Sequence, residues 1–314
     1  MAMALSTARA LAPLAVLAFV VAACSSGATT TSDQRPTVVA TTTIWADVVR
    51  NVACNDLADV ETIVPADGDP HSFEPSLRDR ETMGNATLVV ANGLDLEESM
   101  VDIIDAVESD GVPVVRVGEF VDTLPIRDAS PDSDAAGRDP HIWFDPTRVA
   151  ATLPAIADSL AAAGIDPSAL DACVANYAAR LATLDTDVAA IVSALPVGQR
   201  LLVTNHDSLS YFADRYDFEV LGSVIPSPSS LSAATPADLE ALAAVIDETG
   251  VPAIFAETQH SSSDTQALAD RVGDVDVVTL QTDILGSPGS DTATYVEWLA
   301  ATARTIVDAL KTAA

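Results

Sequence analysis

The chain has 314 residues, of which 49% are hydrophobic and 19% charged, and its formal net charge is −31 at pH 7. The hydrophobic content argues against intrinsic disorder, and the acidic excess excludes a nucleic-acid partner, which needs patches of Lys and Arg. Because the acidic residues are spread along the chain, we interpret them as a solubilising surface.

The N-terminus carries an apolar run from Leu11 to Ala23, after a segment whose only charged side chain is Arg9. The run is shorter than the ~20 residues that span a bilayer. The pattern therefore predicts a signal peptide over residues 1–23. Val21-Ala22-Ala23-Cys24 resembles a bacterial lipobox, which would place a lipid on Cys24. The alternative is an ordinary signal sequence that is cut at the Ala pair, with Cys24 incidental.

Export would have two consequences for the rest of the chain. Residues 24–36 would form a lipidated cysteine and a flexible, Thr-rich tether that holds the protein to the outer face of the cytoplasmic membrane. Disulfides persist in such a compartment, and Cys54 and Cys173 are the two remaining cysteines. We therefore predict a disulfide between them; the alternative is two buried free thiols.

Residues 37–165 predict an N-terminal α/β lobe. Short β-branched runs alternate here with helical patterns, and this rhythm indicates a mostly parallel sheet flanked by helices. Strands are predicted at residues 38–42, 60–64, 87–91 and 113–117, and helices at residues 44–52 and 100–107.

Two helices are predicted next, and both begin with the same signal. Asp145-Pro146 and Asp166-Pro167 each combine an acidic N-cap with proline at the first helical position. The first helix should end near Gly164. The second contains the longest apolar periodicity of the chain, from Leu170 to Leu195. It predicts a rigid bridging helix over residues 166–196, which ends at Pro196.

Residues 197–314 predict a second lobe like the first. Its strands are expected at residues 200–204, 219–221, 252–256 and 276–280, and its helices at residues 208–215, 236–249, 262–272 and 292–309. The predicted fold class is therefore α/β. It has two lobes, each a mostly parallel four-stranded sheet flanked by helices, joined by one long rigid helix.

A repeated frame contains two of the four histidines of the chain. Asp69-Pro70-His71 and Asp139-Pro140-His141 are each followed by an aromatic residue and then by an acid-Pro pair. Proline fixes its own φ and extends the residue before it, so each imidazole leaves a stiffened turn in a defined direction. Imidazoles presented in this way from distant segments suggest a shared metal ion.

Two further candidates lie beyond predicted strands of the second lobe. His206 follows the strand at residues 200–204, and Asp283 follows the strand at residues 276–280. Open α/β sheets bind ligands at the carboxyl ends of their strands. We therefore expect His71, His141, His206 and Asp283 to meet between the lobes. Three imidazoles and one carboxylate suit Zn²⁺ well and are a workable set for Mn²⁺.

Other residues near these motifs have competing interpretations. Glu257, at the end of the strand at residues 252–256, is either a rival ligand or a partner that holds an imidazole through its other nitrogen. His260 lies among serines and is expected to be exposed. Glu74 and Asp145 are interpreted as acids at helix starts or as outer partners of the site.

Together these motifs resemble the solute-binding lipoproteins of bacterial ABC importers for zinc and manganese. The resemblance covers essentially the whole mature chain. It implies two α/β lobes bridged by a rigid helix, with His71, His141, His206 and Asp283 binding the metal between them. The resemblance rests on the lipobox, the two Asp-Pro-His frames, Asn205-His206-Asp207 with Tyr211 and Tyr216, Glu257-Thr258 and Thr282-Asp283.

Two departures within this resemblance concern the metal. Manganese members tend to have Glu at the third ligand position, where this chain has His206, so the nitrogen-rich set favours zinc. Many zinc members carry a His-rich loop before the second motif, whereas residues 122–139 contain five Asp and no His before it. The predicted ligand is Zn²⁺, and the alternative is Mn²⁺ as a weaker binder.

The predicted function is capture of metal without chemistry, by a monomer that delivers it to a cognate ABC permease. Because a stiff helix limits hinge motion, release should involve small shifts near His206 and Asp283. Two other classes compete: a zinc hydrolase with Glu257 as base, and a surface adhesin with a structural metal. The chain has no His-Glu-x-x-His motif and no nucleophile elbow, and no sequence feature marks a partner surface.

Overall fold

The computed structural model describes residues 35–127, 137–259 and 261–311. Within these residues the chain forms two parallel β-sheets of four strands each, both flanked by helices. Two helices that lie between the sheets in sequence also pack against each other. The predicted fold class is confirmed.

The first sheet has the spatial order β2-β1-β3-β4. All neighbouring strands are parallel, and every residue of β3 is buried, as expected for a sheet that is covered on both faces. The order reverses between β1 and β3, which creates a switch point in the sheet. The elements are β1 (Thr37–Ala40), α1 (Thr43–Val52), β2 (Asp59–Thr62), α2 (Leu77–Gly84), β3 (Leu88–Ala91), α3 (Val101–Ser109) and β4 (Val114–Arg116).

The sequence pattern does not predict α2. Met83 is its one buried residue, so the helix lacks the apolar periodicity that identifies a packed helix. Its start is marked instead by a capping box, in which the side chains of Ser76 and Asp79 each accept a hydrogen bond from the other's backbone N–H.

Helices α4 (Pro146–Ala162) and α5 (Pro167–Val192) begin as the sequence predicts. Asp145 and Asp166 each accept the backbone N–H of the second helical residue, at 2.8 and 2.9 Å. Helix α5 has 26 residues and is about 39 Å long. It ends at Val192, earlier than predicted, because the backbone tightens there: Ala194 and Leu195 donate to the carbonyls three residues back, at 3.2 and 2.9 Å.

A disulfide fastens α5 to the first sheet's helices. Cys54, just after the end of α1, is bonded to Cys173 in the first third of α5, so the predicted pairing is confirmed. Arg180 reinforces this connection by donating a hydrogen bond to the Asn51 side chain at 2.6 Å. Helix α5 also packs against α4 and against a helix of the second sheet, defined next as α9.

The second sheet repeats the first, with the parallel order β6-β5-β7-β8. Three strands run past their predicted ends: β6 continues to Ile225, β5 includes His206 and β7 includes Glu257, so the last two residues terminate strands instead of following them. The elements are β5 (Leu201–His206), α6 (Ser210–Tyr216), β6 (Glu219–Ile225), α7 (Pro236–Thr249), β7 (Ala253–Glu257), α8 (Ser263–Val272), β8 (Asp276–Leu280) and α9 (Tyr295–Lys311).

Buried aromatic residues join the two halves of the fold. Trp143 and Phe144 precede α4, and Phe144 packs against Trp298 of α9 with ring centroids 5.3 Å apart. Tyr295 also begins α9 and donates a hydrogen bond to the carbonyl of Trp143 at 2.7 Å. Among the described residues, no helix combines the length and the hydropathy needed to cross a membrane.

Candidate metal centre

Three imidazole rings meet between the two sheets. His71 lies between β2 and α2, His141 lies just before α4, and His206 is the last residue of β5. Each is at most 1% exposed. The Nε2 atom of His141 is 3.4 Å from that of His71 and 3.2 Å from that of His206. The structure therefore brings together all three histidines that the sequence singles out.

The spacing of these nitrogen atoms is that of ligands around one metal ion. Two nitrogens bound at about 2.0–2.1 Å to a tetrahedral metal lie about 3.3 Å apart. The observed separations of 3.2 and 3.4 Å bracket that value. When each Nδ1 keeps its hydrogen, the facing Nε2 atoms point their lone pairs at one another. These lone pairs repel one another, and a cation bound between them would remove that repulsion.

A carboxylate lies behind each ring, on the side away from the shared centre. Such a partner fixes the tautomer and the orientation of an imidazole, and it raises the basicity of the nitrogen that faces the metal. The pairs are Asp139 with His141 at 2.8 Å, Glu257 with His206 at 2.6 Å and Glu98 with His71 at 3.4 Å, each measured from a carboxylate oxygen to Nδ1.

The repeated frame forms the same turn twice but with different partners. The Oδ1 atoms of Asp69 and Asp139 accept the backbone N–H of His71 and His141, both at 2.9 Å. Asp139 also contacts the ring of its own histidine. Asp69 instead directs its Oδ2 atom toward Ser230 of the second lobe, which donates a hydrogen bond at 2.8 Å. The frames also differ locally, because Ser72 donates a hydrogen bond to the same Oδ2 atom of Asp69 at 2.6 Å, whereas Ile142 at the matching position has no side-chain donor.

Asp283 brings an oxygen donor to the three nitrogens. It follows β8, is fully buried, and neither of its carboxylate oxygens has a hydrogen-bond partner among the described residues. Its ligand atoms lie within 4.8 Å of those of His71 and His206. Burying a carboxylate without partners is costly unless a cation compensates it. The three imidazoles and Asp283 could therefore hold a metal with four protein donors.

Glu257 contacts His206 beside this set. It is 4% exposed, and its Oε2 atom contacts His206 while its Oε1 atom accepts a hydrogen bond from Ser208 at 3.0 Å. Both oxygens are therefore engaged by protein groups. This geometry fits the interpretation in which Glu257 holds an imidazole through its other nitrogen.

Burial and neighbouring charges shift the pKa values of the site. Burial, together with the charges of His206 and His71, lowers the pKa of His141 well below its ordinary value. Burial also opposes charging of His206, but Glu257 and Asp283 outweigh it and raise the pKa of His206 to about 9. Burial and then the charge of Glu257 raise the pKa of Asp283 to about 7. A divalent cation would compensate the carboxylates and displace the protons.

Glu98 lies beside the site, and no sequence feature predicts this position. Its side chain is 34% exposed, and its 3.4 Å distance from His71 Nδ1 is longer than an ordinary hydrogen bond. The contact with His71 and a hydrogen bond with Ser229 hold the pKa of Glu98 below its ordinary value, although partial burial opposes them. No motif marks this residue, because it begins a short 3-10 helix, Glu98–Met100, that lies far along the chain from His71.

Buried hydrogen bonds join the lobes beside His141 and Asp283. Each bond links a side chain of one lobe to the backbone of the other. Together they hold His141 and Asp283, which belong to different lobes, next to each other. The bonds run from Trp143 Nε1 to the carbonyl of Thr282 at 2.9 Å, from Tyr295 to that of Trp143 at 2.7 Å, and from Tyr211 to that of Asp139 at 2.7 Å.

Some predicted features lie outside the described residues. These are the signal peptide, Cys24 and most of its tether, His260, and residues 128–136 of the acidic loop.

Comparison with known proteins places residues 38–309 in one family. The family model of ZnuA, the periplasmic zinc-uptake complex component A, matches residues 38–309. The zinc-binding protein TroA of Treponema pallidum is 33% identical over 287 residues, covering 89% of this chain and 90% of that protein. Its solved structure matches with a TM-score of 0.78 at 32% identity, covering 88% of this chain and 99% of that chain.

Two further relatives carry other metals in their names. The manganese-binding lipoprotein MntA of Halalkalibacterium halodurans is 29% identical over 301 residues, covering 94% of this chain and 96% of that protein. The manganese ABC transporter substrate-binding lipoprotein PsaA of Streptococcus anginosus is 27% identical over 291 residues, covering 90% of this chain and 91% of that protein. The chain therefore belongs to the zinc-uptake complex component A family, whose members are metal-binding receptors of ABC importers and not enzymes.

Proposed function

We propose that this protein captures Zn²⁺ outside the cytoplasm and delivers it, as a monomer, to an ABC permease. The observation that carries the proposal is the convergence of His71, His141, His206 and Asp283 in one buried site. Three imidazoles and a carboxylate form a four-coordinate set of the kind that zinc adopts. A complete set of protein donors leaves no position for a reacting water, which favours binding over hydrolysis.

The balance of donors supports zinc over manganese. Zn²⁺ binds a given set of nitrogen and oxygen ligands more tightly than Mn²⁺ does, and imidazole suits zinc well. With Glu257 engaged by His206 and Ser208, the set keeps three nitrogens and one carboxylate. The relative TroA is named for zinc, which agrees with this choice.

A manganese receptor of the same type is the second candidate function. Further carboxylate oxygens lie near the proposed ligands: Asp69 groups with His71 and Asp283, and Glu257 groups with His206 and Asp283, each within 4.8 Å. Recruiting either one would make the site richer in oxygen, as Mn²⁺ prefers. The names of MntA and PsaA agree with this alternative.

Competitive titration of the metal-stripped protein, lacking residues 1–24, distinguishes the two. Zn²⁺ and Mn²⁺ are each added in the presence of a chromophoric chelator of known affinity. We expect one Zn²⁺ per chain, bound far more tightly than Mn²⁺. Comparable affinities, or a preference for Mn²⁺, would show that carboxylates dominate the site, and the manganese function would then replace the zinc function.

We further propose how the chain is organised around this site. Residues 1–23 are a signal peptide, Cys24 carries the lipid and residues 24–36 form the tether. Residues 37–165 and 197–314 are the two lobes, joined by a bridging helix within residues 166–196. The relatives that are named lipoproteins support the anchor. A Cys24→Ser variant should leave the membrane fraction, and its retention there would contradict the anchor.

A further inference from the structure

The edge of the metal centre at His71 differs from the rest of the site. His141 and His206 have buried carboxylates at 2.8 and 2.6 Å from Nδ1. His71 faces Glu98, which is partly exposed, at 3.4 Å. The Nδ1 atom of His71 is buried and has no hydrogen-bond partner among the described residues. The carboxylate that faces His71 is therefore farther from the ring and nearer the protein surface than the other two.

A short segment of the other lobe covers this edge. Residues 226–232, here called the serine segment, follow β6 and have the sequence Pro-Ser-Pro-Ser-Ser-Leu-Ser. Ser230 donates a hydrogen bond to Asp69 Oδ2 at 2.8 Å, and Ser229 lies close enough to Glu98 to help lower the pKa of that carboxyl. Both hydroxyls thus reach across from the second lobe to acidic residues of the first.

Both acidic residues act on His71. Asp69 Oδ1 accepts the backbone N–H of His71 at 2.9 Å, and Glu98 faces the ring. The neighbour of Glu98, Ser99, binds the carbonyl oxygen of His71 with its backbone N–H at 3.3 Å and with its hydroxyl at 3.0 Å. The turn that carries Glu98 is therefore tied to the backbone of His71 as well as to its ring.

We propose that Glu98 and Asp69 are positioning residues for His71, and that the serine segment holds both of them in place. The inference rests on the proposed metal-binding function of this site. His71 keeps its metal-binding orientation while Ser229 and Ser230 contact the opposite lobe, and it is the first ligand to loosen when they separate. The metal enters and leaves at this edge.

At the opposite edge of the metal centre, beside His141 and Asp283, the two lobes cannot separate as easily. Trp143 binds the carbonyl that precedes Asp283, and Tyr295 binds the carbonyl of Trp143, in buried hydrogen bonds that join the lobes. Opening at that edge would leave several buried polar groups without hydrogen-bond partners, which is costly. The path at His71 differs from the expectation from sequence, which places release near His206 and Asp283.

Metal dissociation from the full chain tests the proposal. The protein is loaded with Zn²⁺ and mixed with an excess of chelator, and the release rate is followed by stopped flow. We expect Glu98→Gln, and the double variant Ser229→Ala with Ser230→Ala, to release zinc about 10–100-fold faster, the effect typical of losing outer partners of a ligand. The control is Ser232→Ala, an exposed serine of the same segment, which should leave the rate unchanged.

Nitrogen NMR of the histidine rings separates positioning from general loosening. In the zinc-loaded double serine variant, we expect the ring signals of His71 to change while those of His141 and His206 stay as in the unmodified protein. Equal changes in all three rings would overturn the proposal. So would unchanged release rates in both test variants of a chain that does bind zinc. Failure of the unmodified chain to bind zinc would instead overturn the proposed function and, with it, this inference.

Discussion

Replacing Glu257 by Gln should weaken Zn²⁺ binding by about tenfold at pH 9 without abolishing it. The exchange preserves the shape of the side chain. The amide oxygen can still accept a hydrogen bond from His206 Nδ1, and the amide nitrogen can donate to Ser208. What is lost is the negative charge, 2.6 Å from a buried imidazole.

The magnitude follows from the kind of hydrogen bond that is exchanged. A bond to a charged group contributes about 1.5–3 kcal/mol net, and a neutral bond contributes about 0.5–1.5 kcal/mol. The difference of about 1–1.5 kcal/mol corresponds to roughly tenfold in affinity. If Glu257 were itself a metal ligand, the loss would exceed the roughly 100-fold that marks the upper end for outer partners.

The pH of the assay matters, because the same carboxylate also stabilises a proton on His206. Glu257 and Asp283 outweigh burial and raise the pKa of His206 to about 9, so below that pH the metal must displace a proton. Removing the charge of Glu257 weakens this competition. The difference between the unmodified protein and the variant should therefore shrink from pH 9 to pH 7.

Chelator competition at both pH values measures the effect. Glu240→Gln is the matched control, since it removes the same charge from an exposed residue that pairs with Arg271. It should leave the affinity unchanged. A Glu257→Gln variant with unaltered affinity at pH 9 would refute the idea that this carboxylate supports a metal-bound His206. A variant that no longer binds zinc would show that Glu257 is itself a ligand.

Three other outcomes are expected. Zn²⁺ affinity should fall about tenfold per pH unit below pH 9, because one proton on His206 is displaced; calorimetry that finds equal affinity at pH 9 and pH 7 would contradict this. His71→Ala should weaken zinc binding more than about 100-fold in a chelator titration while keeping the native circular dichroism spectrum, and a smaller loss would remove His71 from the ligand set. Replacing Cys54 and Cys173 by Ser should lower the free energy of unfolding by about 2–5 kcal/mol in urea titrations, without changing zinc stoichiometry; a change below about 1 kcal/mol would indicate that the bridge adds little.

Much of the architecture could be predicted from local signals. Asp145-Pro146 and Asp166-Pro167 predicted the starts of α4 and α5, because an acidic N-cap and a proline at the first position act within one helical turn. The alternation of β-branched runs and helices predicted two parallel sheets. Helix α2 was missed, because a polar helix with one buried residue has no apolar period to detect.

The candidate site was also visible in the sequence, since parallel strands direct their carboxyl ends to one edge of a sheet. The positions of His71, His141, His206 and Asp283 relative to the predicted strands led to the expectation that they meet. The structure brings their ligand atoms together, and the assignment of these residues as metal ligands stays a prediction that titration can test.

The sequence by itself determined where most strands and helices form and that His71 and His141 each leave a stiffened turn, because these features depend on neighbours within a few residues. Only the tertiary structure decided which carboxylate supports which ring. Asp69 and Asp139 occupy the same frame, yet Asp139 contacts its own histidine while Asp69 binds Ser230 of the other lobe. Such partners are brought together by the packing of segments far apart in the chain, and no local pattern encodes that contact.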